Sequence, residues 1–547
     1  MGRRPLLNSK PTPNRTPPVV WASALARSLA TACAAVPLVI FANSCAPEPP
    51  RDVNLLIVSF DTLRADRLGC YGNDEWETSP SPTVDSLAAA GTVFETTYAP
   101  RGQTHPSIAT MFTGKYPITH RVRENGFTLD PKHTTLMQTL QSAGYHTGVF
   151  VSNFEVAHPK EGWVARGANV AVDGFGGQRA TEARNESRHQ RTWDDRTESA
   201  ALSFLDGAAG GGPFAAWVHF YDVHKPYTPP ASKRDLYGLD PSLPRVLRTP
   251  PEGPEDHQKL EQVLAAITLD MREATDAELR RVRGLYDAGI NATDDRLARL
   301  LARLEKLGVG DDTLIVFTSD HGEELFDRNR YFFHGASIHD GTVRVPLIVK
   351  GPGVEAGARV ADVTRNADIA PTVLDLLGMP ADDGHEGVSL AAFTRGEPDA
   401  QAAPHAFIEW QDYVYAVTDG RHKLIFNPEH VWPRKPPYFF APEGHGYRID
   451  CLEGYDLIAD PGERHNLLAD VDINSIDLRT GAGLPAGMEG LFPALNAWLR
   501  DPLHGLAFGD DTQTDSDLAR LQQLGYVGGG ALGERKDSAR QDPCIVR

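Results

Sequence analysis

The chain has 547 residues, too many for one small hydrophobic core, so we expect a large domain with a smaller one beside it. Hydrophobic residues at 41% and charged residues at 23% are typical of a soluble globular protein. Acidic residues outnumber basic ones by 73 to 54, and the formal charge of −19 argues against nucleic-acid binding because it repels a phosphate backbone. A small anionic substrate remains compatible, since a bound cation can reverse the field locally.

Residues 1–50 are predicted to be a leader rather than part of the fold. Arg3 and Arg4 begin a basic stretch, an apolar run follows at residues 21–42, and small residues lead to Cys45. This order predicts an export signal and a location in the periplasm or cell envelope. The residues before Cys45 resemble a bacterial lipoprotein cleavage site, which predicts a lipid anchor there as the chain's link to a membrane. The alternative is an apolar segment that stays in the membrane.

Short apolar runs separated by helical patterns continue from residue 52. Such runs are typical of strands covered on both faces, and their alternation with helices predicts a mainly parallel central sheet flanked by helices, an α/β fold. The clearest helical pattern covers residues 293–307, with Thr293 or Asp294 as its N-cap. The predicted strands are residues 53–60, 147–151, 214–220, 313–318 and 345–349.

The pattern of predicted strands and helices changes near residue 396, which predicts a division into domains. Short strand-like pieces indicate a smaller antiparallel subdomain after a large catalytic domain, and a weakly patterned extension follows it. A disulfide between Cys451 and Cys544 stays open, because spacing alone does not decide it. The predicted units are 51–395, 396–470 and 471–547.

Two polar insertions interrupt the strand-helix pattern. Residues 174–199 are rich in arginine, and residues 231–278 mix prolines with charged side chains. We expect both to be surface elements around a site rather than parts of the core.

Groups that can bind a metal or a substrate follow three of the predicted strands. Asp61 follows the first, Asp222 and His224 follow the third, and Asp320 and His321 follow the fourth. Ligands of parallel sheets collect at the carboxyl ends of strands, so these groups can meet at one edge. Carboxylates and imidazole suit calcium, magnesium, manganese or zinc. The plainer interpretation of each aspartate is a turn or a helix cap.

A nucleophile is offered by Thr104. Pro106 suits the first turn of a helix that Gly114 would end, which places Thr104 at or just before the helix N-terminus. Free backbone N–H groups there favour an anion, and a hydroxyl bound to a cation ionises more readily. The alternative is that Thr104 only caps the helix.

Five segments carry a recognisable pattern: NLLIVSFDTLRADRLGCYG, THPSIATMFTGKYP, HFYDVHKPYTPP, IVFTSDHGEE and FFHGASIHDGTVRVPLIVKG. They resemble the motifs of the sulfatase family of the alkaline phosphatase superfamily. The resemblance covers about residues 52–530 in the family's order, and it implies an alkaline-phosphatase-like catalytic domain with a smaller C-terminal α+β subdomain.

The resemblance also implies roles for single residues. His224 would contact the ester, and His334, at a position often held by a substrate-binding lysine, would hold the substrate oxyanion or protonate the leaving oxygen. Thr104 falls on the nucleophile, which also touches the metal. One divalent cation (calcium, manganese, magnesium or zinc) would be bound by Asp61, Thr104, Asp320 and His321.

The sequence departs from the family's pattern at four positions. Thr104 replaces the cysteine or serine that becomes formylglycine, and Ile108 replaces an arginine of the same motif. Thr62 stands where many relatives have a second metal-binding aspartate, and Ser152 stands at a usual lysine position. Because threonine cannot form formylglycine, a phosphodiester or phosphonate ester fits the site better than a sulfate ester.

The sequence therefore predicts a hydrolase that cleaves a phosphate- or sulfate-type ester, either small and anionic or linked to a glycan or lipid. Two alternatives stay open. One is a transferase of the phosphoglycerol or phosphoethanolamine type, since such enzymes use threonine. The other is a non-catalytic, surface-anchored binding protein that keeps the fold.

Overall fold

The structure, a computed structural model, describes residues 53–501 apart from internal gaps, and all of these belong to the unit Glu48–Arg547. The leader at 1–50 with Cys45, and both Cys451 and Cys544, lie outside the described residues, so lipidation and the disulfide stay predictions. The gaps are 153–161, 175–189, 249–258, 261, 264–273, 328–331, 336, 381, 383, 411–413, 428–451, 472–474 and 478–479.

The strands are numbered in chain order. They are β1 Asn54–Phe60, β2 Thr92–Tyr98, β3 His146–Val151, β4 Val170–Asp173, β5 Phe214–Phe220, β6 Thr313–Thr318, β7 Glu324–Leu325, β8 Phe332–Phe333, β9 Arg344–Lys350, β10 Ala358–Arg365, β11 Ala406–Trp410, β12 Val414–Thr418, β13 His422–Phe426 and β14 Leu452–Asp456.

The helices are numbered in the same way. They are α1 Pro82–Ala89, α2 Thr104–Thr113, α3 Pro117–His120, α4 Leu136–Ser142, α5 Gln190–Ala208, α6 Ala231–Arg234, α7 Arg245–Arg248, α8 Asp276–Leu307, α9 Asp340–Val343, α10 Ile369–Leu376, α11 Ala391–Thr394 and α12 Leu491–Leu499, with short 3₁₀ turns at Ala65–Arg67, Gly69–Tyr71, Trp163–Ala165 and Asn366–Asp368.

An eight-stranded sheet in the order β10-β2-β9-β6-β1-β5-β3-β4 forms the centre of the described chain. All five strand predictions are confirmed within one or two residues. Strand β9 pairs antiparallel with both β6 and β2, whereas the other neighbouring pairs are parallel. The prediction of a mainly parallel α/β sheet is confirmed.

Helices cover both faces of this sheet, because successive side chains of a strand point to opposite sides. On β1, Leu56, Val58 and Phe60 pack with α5 and α8, and Leu55 and Ile57 pack with α2 and α10 on the other face. Both faces are fully buried along β1, which explains its continuous apolar sequence.

The long helix α8 begins earlier than the sequence predicts. The side chain of Thr275 caps it by accepting a hydrogen bond from the Glu278 N–H, so a cap at Thr293 or Asp294 is wrong. Asp294 caps a different helix: its carboxylate accepts hydrogen bonds from the backbone N–H groups of Thr83 and Val84 at the start of α1. A carboxylate in mid-helix can serve a neighbouring helix, and local sequence does not reveal this.

The two polar insertions are only partly surface elements. Residues 190–208 form α5, where Trp193 and Asp194 are buried against the sheet edge, and Tyr237 is buried within the second insertion. The expectation that both insertions lie outside the core is therefore wrong for these parts. The many charged side chains on the outer face of α5 obscure the helical spacing of its apolar residues in the sequence.

A second, antiparallel sheet in the order β11-β12-β13-β14 forms the smaller C-terminal subdomain. One face packs on α12 through a cluster that includes Leu495, and the other packs on the main domain through Tyr98 and Val343. Within the described part of the chain, no helix is both long and apolar enough to cross a membrane.

Candidate active site

The turn after β1 holds the first predicted ligand, Asp61, in a fully buried position. The next residue, Thr62, has a φ of 60°, a left-handed conformation that is rare for a β-branched residue. Its backbone groups are held from two sides: Thr62 N–H donates to Asp320 Oδ1 at 3.3 Å, and the Tyr286 hydroxyl donates to Thr62 O at 2.7 Å. The turns after β1 and β6 are thus tied together.

The turn after β6 holds Asp320 and His321, both fully buried. His321 Nδ1 lies 2.9 Å from the Gly322 carbonyl oxygen, so Nδ1 carries the hydrogen and Nε2 presents a lone pair. This Nε2 lies 3.4 Å from Asp320 Oδ2 and 3.3 Å from Thr104 Oγ1. The structure therefore brings two predicted ligands and the predicted nucleophile together.

Thr104 is the first residue of α2 and is almost completely buried, with Gln103 at the N-cap. The alternative that Thr104 itself caps the helix does not fit this arrangement. Gly114 ends the helix with a φ of 62°, as Pro106 and Gly114 predict. Thr104 therefore lies at the positive end of the α2 dipole, which favours an anion. The next N–H group, that of His105, already donates to Asn125 Oδ1 at 2.9 Å, and Pro106 has no N–H.

A further histidine, His219 of β5, reaches the same place and is absent from the sequence predictions. Its Nε2 lies 3.3 Å from Asp61 Oδ2, and ligand atoms of Asp61, His219 and Asp320 all lie within 4.8 Å of one another. The signal for it in the sequence is a lone histidine inside the apolar run FAAWVHF. That signal is weak, because a buried strand histidine is also compatible with a structural role.

The predicted substrate histidines border this cluster. The ring of His334 lies 4.6 Å from that of His321 and 4.9 Å from that of His224. His334 Nδ1 lies 3.1 Å from Glu323 Oε1, and the Tyr221 ring stacks on His224 at 4.3 Å. His224 is half-buried, so the row of imidazoles runs from the buried cluster toward the surface.

Burial keeps His219, His334 and His224 neutral. It lowers the pKa of His219 and of His334, and together with the nearby His334 it lowers the pKa of His224 to about 3. Burial also raises the pKa of Glu323. Neutral imidazoles can serve as metal ligands or as hydrogen-bonding partners of an anion.

The donor set fits a divalent cation. Ligands about 2.1 Å from one cation stand about 3.0 to 3.4 Å apart in octahedral or tetrahedral geometry, and the contacts of 3.3, 3.4 and 3.3 Å match that spacing. Asp320 Oδ2 is buried, yet it accepts no hydrogen bond from the described residues. A carboxylate oxygen in that state is costly unless a cation compensates it.

Three residues weighed from the sequence do not enter the cluster. Asp222 forms an ion pair with Arg296 at 3.2 Å, Ser152 donates a hydrogen bond to the His219 carbonyl oxygen at 2.9 Å, and Ile108 is part of the core. Ser152 and Ile108 therefore supply no positive charge to the cluster.

The C-terminal subdomain supports the site from two directions. Trp410 Nε1 donates to the carbonyl oxygen of Gly335, the residue after His334, at 2.7 Å. Glu409 N–H donates to Pro100 O at 2.9 Å, and the Glu409 carboxylate accepts from Arg101 at 3.3 Å. The end of β11 thus holds both the His334 segment and the residues that lead into α2.

Two family models match the chain. The one described as Sulfatase matches residues 53–379, and the one described as N-sulphoglucosamine sulphohydrolase, C-terminal, matches residues 328–484. The multifunctional alkaline phosphatase superfamily protein PehA of Trinickia caryophylli is 26% identical over 498 residues, which cover 76% of this chain and 91% of that protein. The choline-sulfatase of Rhizobium meliloti is 25% identical over 447 residues, which cover 76% and 82%.

Solved structures share the fold. The phosphonate monoester hydrolase of Agrobacterium radiobacter has a TM-score of 0.58 at 24% identity, covering 77% of this chain and 92% of that one. Its likeness supports the alkaline-phosphatase-like architecture of the sheet. Because the first family model spans more than half of the sequence, the chain belongs to the sulfatase family of ester hydrolases.

Proposed function

We propose that the protein hydrolyses a phosphate- or phosphonate-type ester with Thr104 as an unmodified nucleophile and a cation bound by Asp61, Asp320 and His321. The observation that carries the proposal is the 3.3 Å contact between Thr104 Oγ1 and His321 Nε2. The Thr104 hydroxyl thus lies both at a helix N-terminus and beside buried side chains that can bind a metal.

The reaction would proceed in two steps. Thr104 Oγ1 gives up its proton and forms a bond to the phosphorus atom, and the bond from phosphorus to the leaving oxygen breaks in line with that attack, so that the leaving oxygen takes up the proton that Thr104 lost. Water then attacks the same phosphorus, the bond to Thr104 breaks, and the hydroxyl regains a proton. A bound divalent cation would supply Lewis-acid charge and lower the pKa of the hydroxyl.

The chain's own groups would stabilise the transition state in distinct ways. Thr104 begins α2, so the positive end of the helix dipole would favour the developing anionic oxygens. His334 and His224 line the approach, with His334 oriented by Glu323 and His224 by Tyr221, and they would contact the ester and its leaving oxygen.

The choice of ester rests on Thr104 and on the relatives. Threonine cannot become formylglycine, so the usual sulfatase chemistry lacks its nucleophile. Relatives are named both for choline sulfate and for phosphonate monoesters, so the fold accommodates both classes. We therefore place phosphonate monoesters and phosphodiesters ahead of sulfate esters.

The test is a panel of aryl phosphate, phosphodiester, phosphonate and sulfate esters, assayed with added manganese, zinc, magnesium or calcium. We expect turnover of phosphonate or diester substrates and a mass increase on the peptide containing Thr104 after rapid quenching. Exclusive sulfate hydrolysis would refute the ester preference. An inactive wild-type protein across all metals would instead favour the non-catalytic binding protein.

Transfer to an acceptor other than water remains the second candidate, because threonine is the nucleophile of phosphoglycerol and phosphoethanolamine transferases. Adding glycerol or a glycan acceptor separates the two reactions. A hydrolase releases the same amount of product with or without acceptor, whereas a transferase forms the acceptor ester at the expense of free product.

A further inference from the structure

We infer that His219 is a ligand of the cation, that it replaces the carboxylate missing at Thr62, and that the site consequently prefers a transition metal to calcium. This inference rests on the proposed cation at Asp61, Asp320 and His321, and it specifies the chemistry of that site. Three features of the described residues support it: the position of His219, the groups that orient its ring, and the state of Thr62.

The position of His219 follows from the sheet. Strand β5 runs parallel to β1, and His219 pairs in register with Ser59, two residues before Asp61. The side chain is fully buried, and its Nε2 lies 3.3 Å from Asp61 Oδ2. Because neighbouring parallel strands present paired residues on the same face, the fold itself delivers this imidazole to the edge where the carboxylates lie.

Ser59 and Trp217 fix the orientation of the His219 ring from its Nδ1 side, which is opposite to the side that faces Asp61. His219 Nδ1 lies 2.8 Å from Ser59 Oγ, and Trp217 Nε1–H donates to that same oxygen at 2.9 Å. When Nδ1–H donates to Ser59, Nε2 faces Asp61 with a lone pair. Two lone pairs at that distance repel each other unless a positive charge lies between them. A shared cation supplies that charge when it is bound, and without a cation the other tautomer places the Nε2 proton there.

Thr62 leaves the ligand set short of one group. Its hydroxyl finds no hydrogen-bond partner among the described residues, and its backbone is in the left-handed conformation. The turn after β1 therefore contributes one carboxylate, that of Asp61. His219 approaches the same carboxylate from the adjacent strand and restores the number of ligands.

The exchange of a carboxylate for an imidazole changes which metal fits. Calcium takes six to eight oxygen ligands, whereas imidazole nitrogen suits zinc, iron and other transition metals. With His219 and His321 the site offers two nitrogens beside the oxygens of Asp61, Asp320 and Thr104. We expect manganese, zinc or iron(II) to bind more tightly than calcium.

The experiment measures metal binding directly. The purified full chain is stripped with a chelator, and zinc, manganese and calcium affinities are measured by calorimetry for the wild type and for His219→Gln and Ser59→Ala. Loss of a group that only orients a ligand lowers affinity about 10- to 100-fold, so we expect that range for Ser59→Ala and a larger loss for His219→Gln. His146→Asn, which removes an exposed histidine of β3, is the matched control and should bind as the wild type does.

Spectroscopy keeps the inference testable if His219→Gln unfolds. Electron spin-echo measurements on the manganese-loaded wild type should detect two histidine nitrogens. One nitrogen, or tighter binding of calcium than of zinc and manganese, would overturn the inference.

If the protein binds metal through two imidazoles but hydrolyses no ester, the proposed function fails and the ligand assignment survives. If it turns over an ester with a single bound imidazole, the proposed function survives and the assignment of His219 fails.

Discussion

The two ends of helix α2 both border buried histidines, yet the histidines differ in their neighbours. At the N-terminal end, His219 faces Asp61, His321 faces Asp320, and the contacts measure 3.3 and 3.4 Å. Beyond the C-terminal end of α2, the charged neighbours are mainly cationic. Carboxylates beside imidazoles build a cation site, and lysines or arginines beside imidazoles exclude one.

The histidines beyond the C-terminal end of α2, His120 and His133, are both buried within the fold. His120 Nδ1 accepts a hydrogen bond from Val122 N–H at 3.1 Å, so its Nε2–H donates to Thr110 Oγ1 at 3.0 Å. His133 is buried, and its ring nitrogens find no hydrogen-bond partner among the described residues. Burial, with Lys115 and other cations nearby, lowers the pKa of His133 to about 4. Burial lowers the pKa of His120 as well, so both rings stay neutral in the folded chain.

The largest effect is expected at the N-terminal end. Thr104→Ala removes the nucleophile, so kcat/KM on the best ester should fall at least about 1,000-fold. Thr104→Ser keeps a hydroxyl and serves as the control, and it should retain measurable turnover. Steady-state kinetics with metal present provide the measurement. Unchanged activity of the alanine variant would show that Thr104 is not the nucleophile, and the N-terminal end of α2 would then have no catalytic role that distinguishes it from the C-terminal end.

A second substitution tests the cation at that end. A ligand present at about a hundredfold excess over its dissociation constant stabilises the folded state by about 2.7 kcal/mol, so metal should raise the melting temperature of the wild type. Asp320→Asn should lose most of that increase because it removes a buried anionic ligand. Lys115→Gln, at the other end of α2, should respond to metal as the wild type does. Equal metal responses of wild type and Asp320→Asn would place the cation elsewhere.

The third prediction uses pH to sharpen the contrast. The folded pKa of His133, about 4, is below the ordinary value of 6.5, so above pH 6.5 the ring is neutral in both states. As pH falls, the unfolded chain binds a proton that the folded chain excludes, and stability is lost until about pH 4. The free energy of unfolding should drop by roughly 1 to 3 kcal/mol more in the wild type than in His133→Gln between pH 7 and pH 4. Denaturant titrations at both pH values measure this, and identical profiles would show that His133 titrates normally.

The smallest effect concerns the hydrogen bond of His120. Thr110→Val removes the hydroxyl that accepts from the Nε2–H, which should lower the free energy of unfolding by at most about 1 kcal/mol and leave metal affinity unchanged. Thr113→Val is the matched control, because the Thr113 hydroxyl donates to Ala109 O in the preceding turn of the same helix. A change in metal affinity for Thr110→Val would mean that the two ends are coupled.

Local pattern in the sequence determined the strands, the start of α2 and the proposed ligands that follow strand ends. An apolar run ends at Phe60, and another at Thr318, so the side chains after them emerge at one sheet edge. Pro106 and Gly114 bound α2 by their own backbone preferences. These features depend on residues a few positions apart, which is why the sequence alone predicts them.

Tertiary structure decided which polar groups meet. His219 and Ser59 are 160 positions apart, and only the pairing of β1 with β5 joins them. The same holds for Asp294, which caps a helix about 210 residues away rather than its own. Charge and hydrogen bonding act through space, so a histidine becomes a ligand or a neutral core residue according to neighbours that the fold brings from distant parts of the chain.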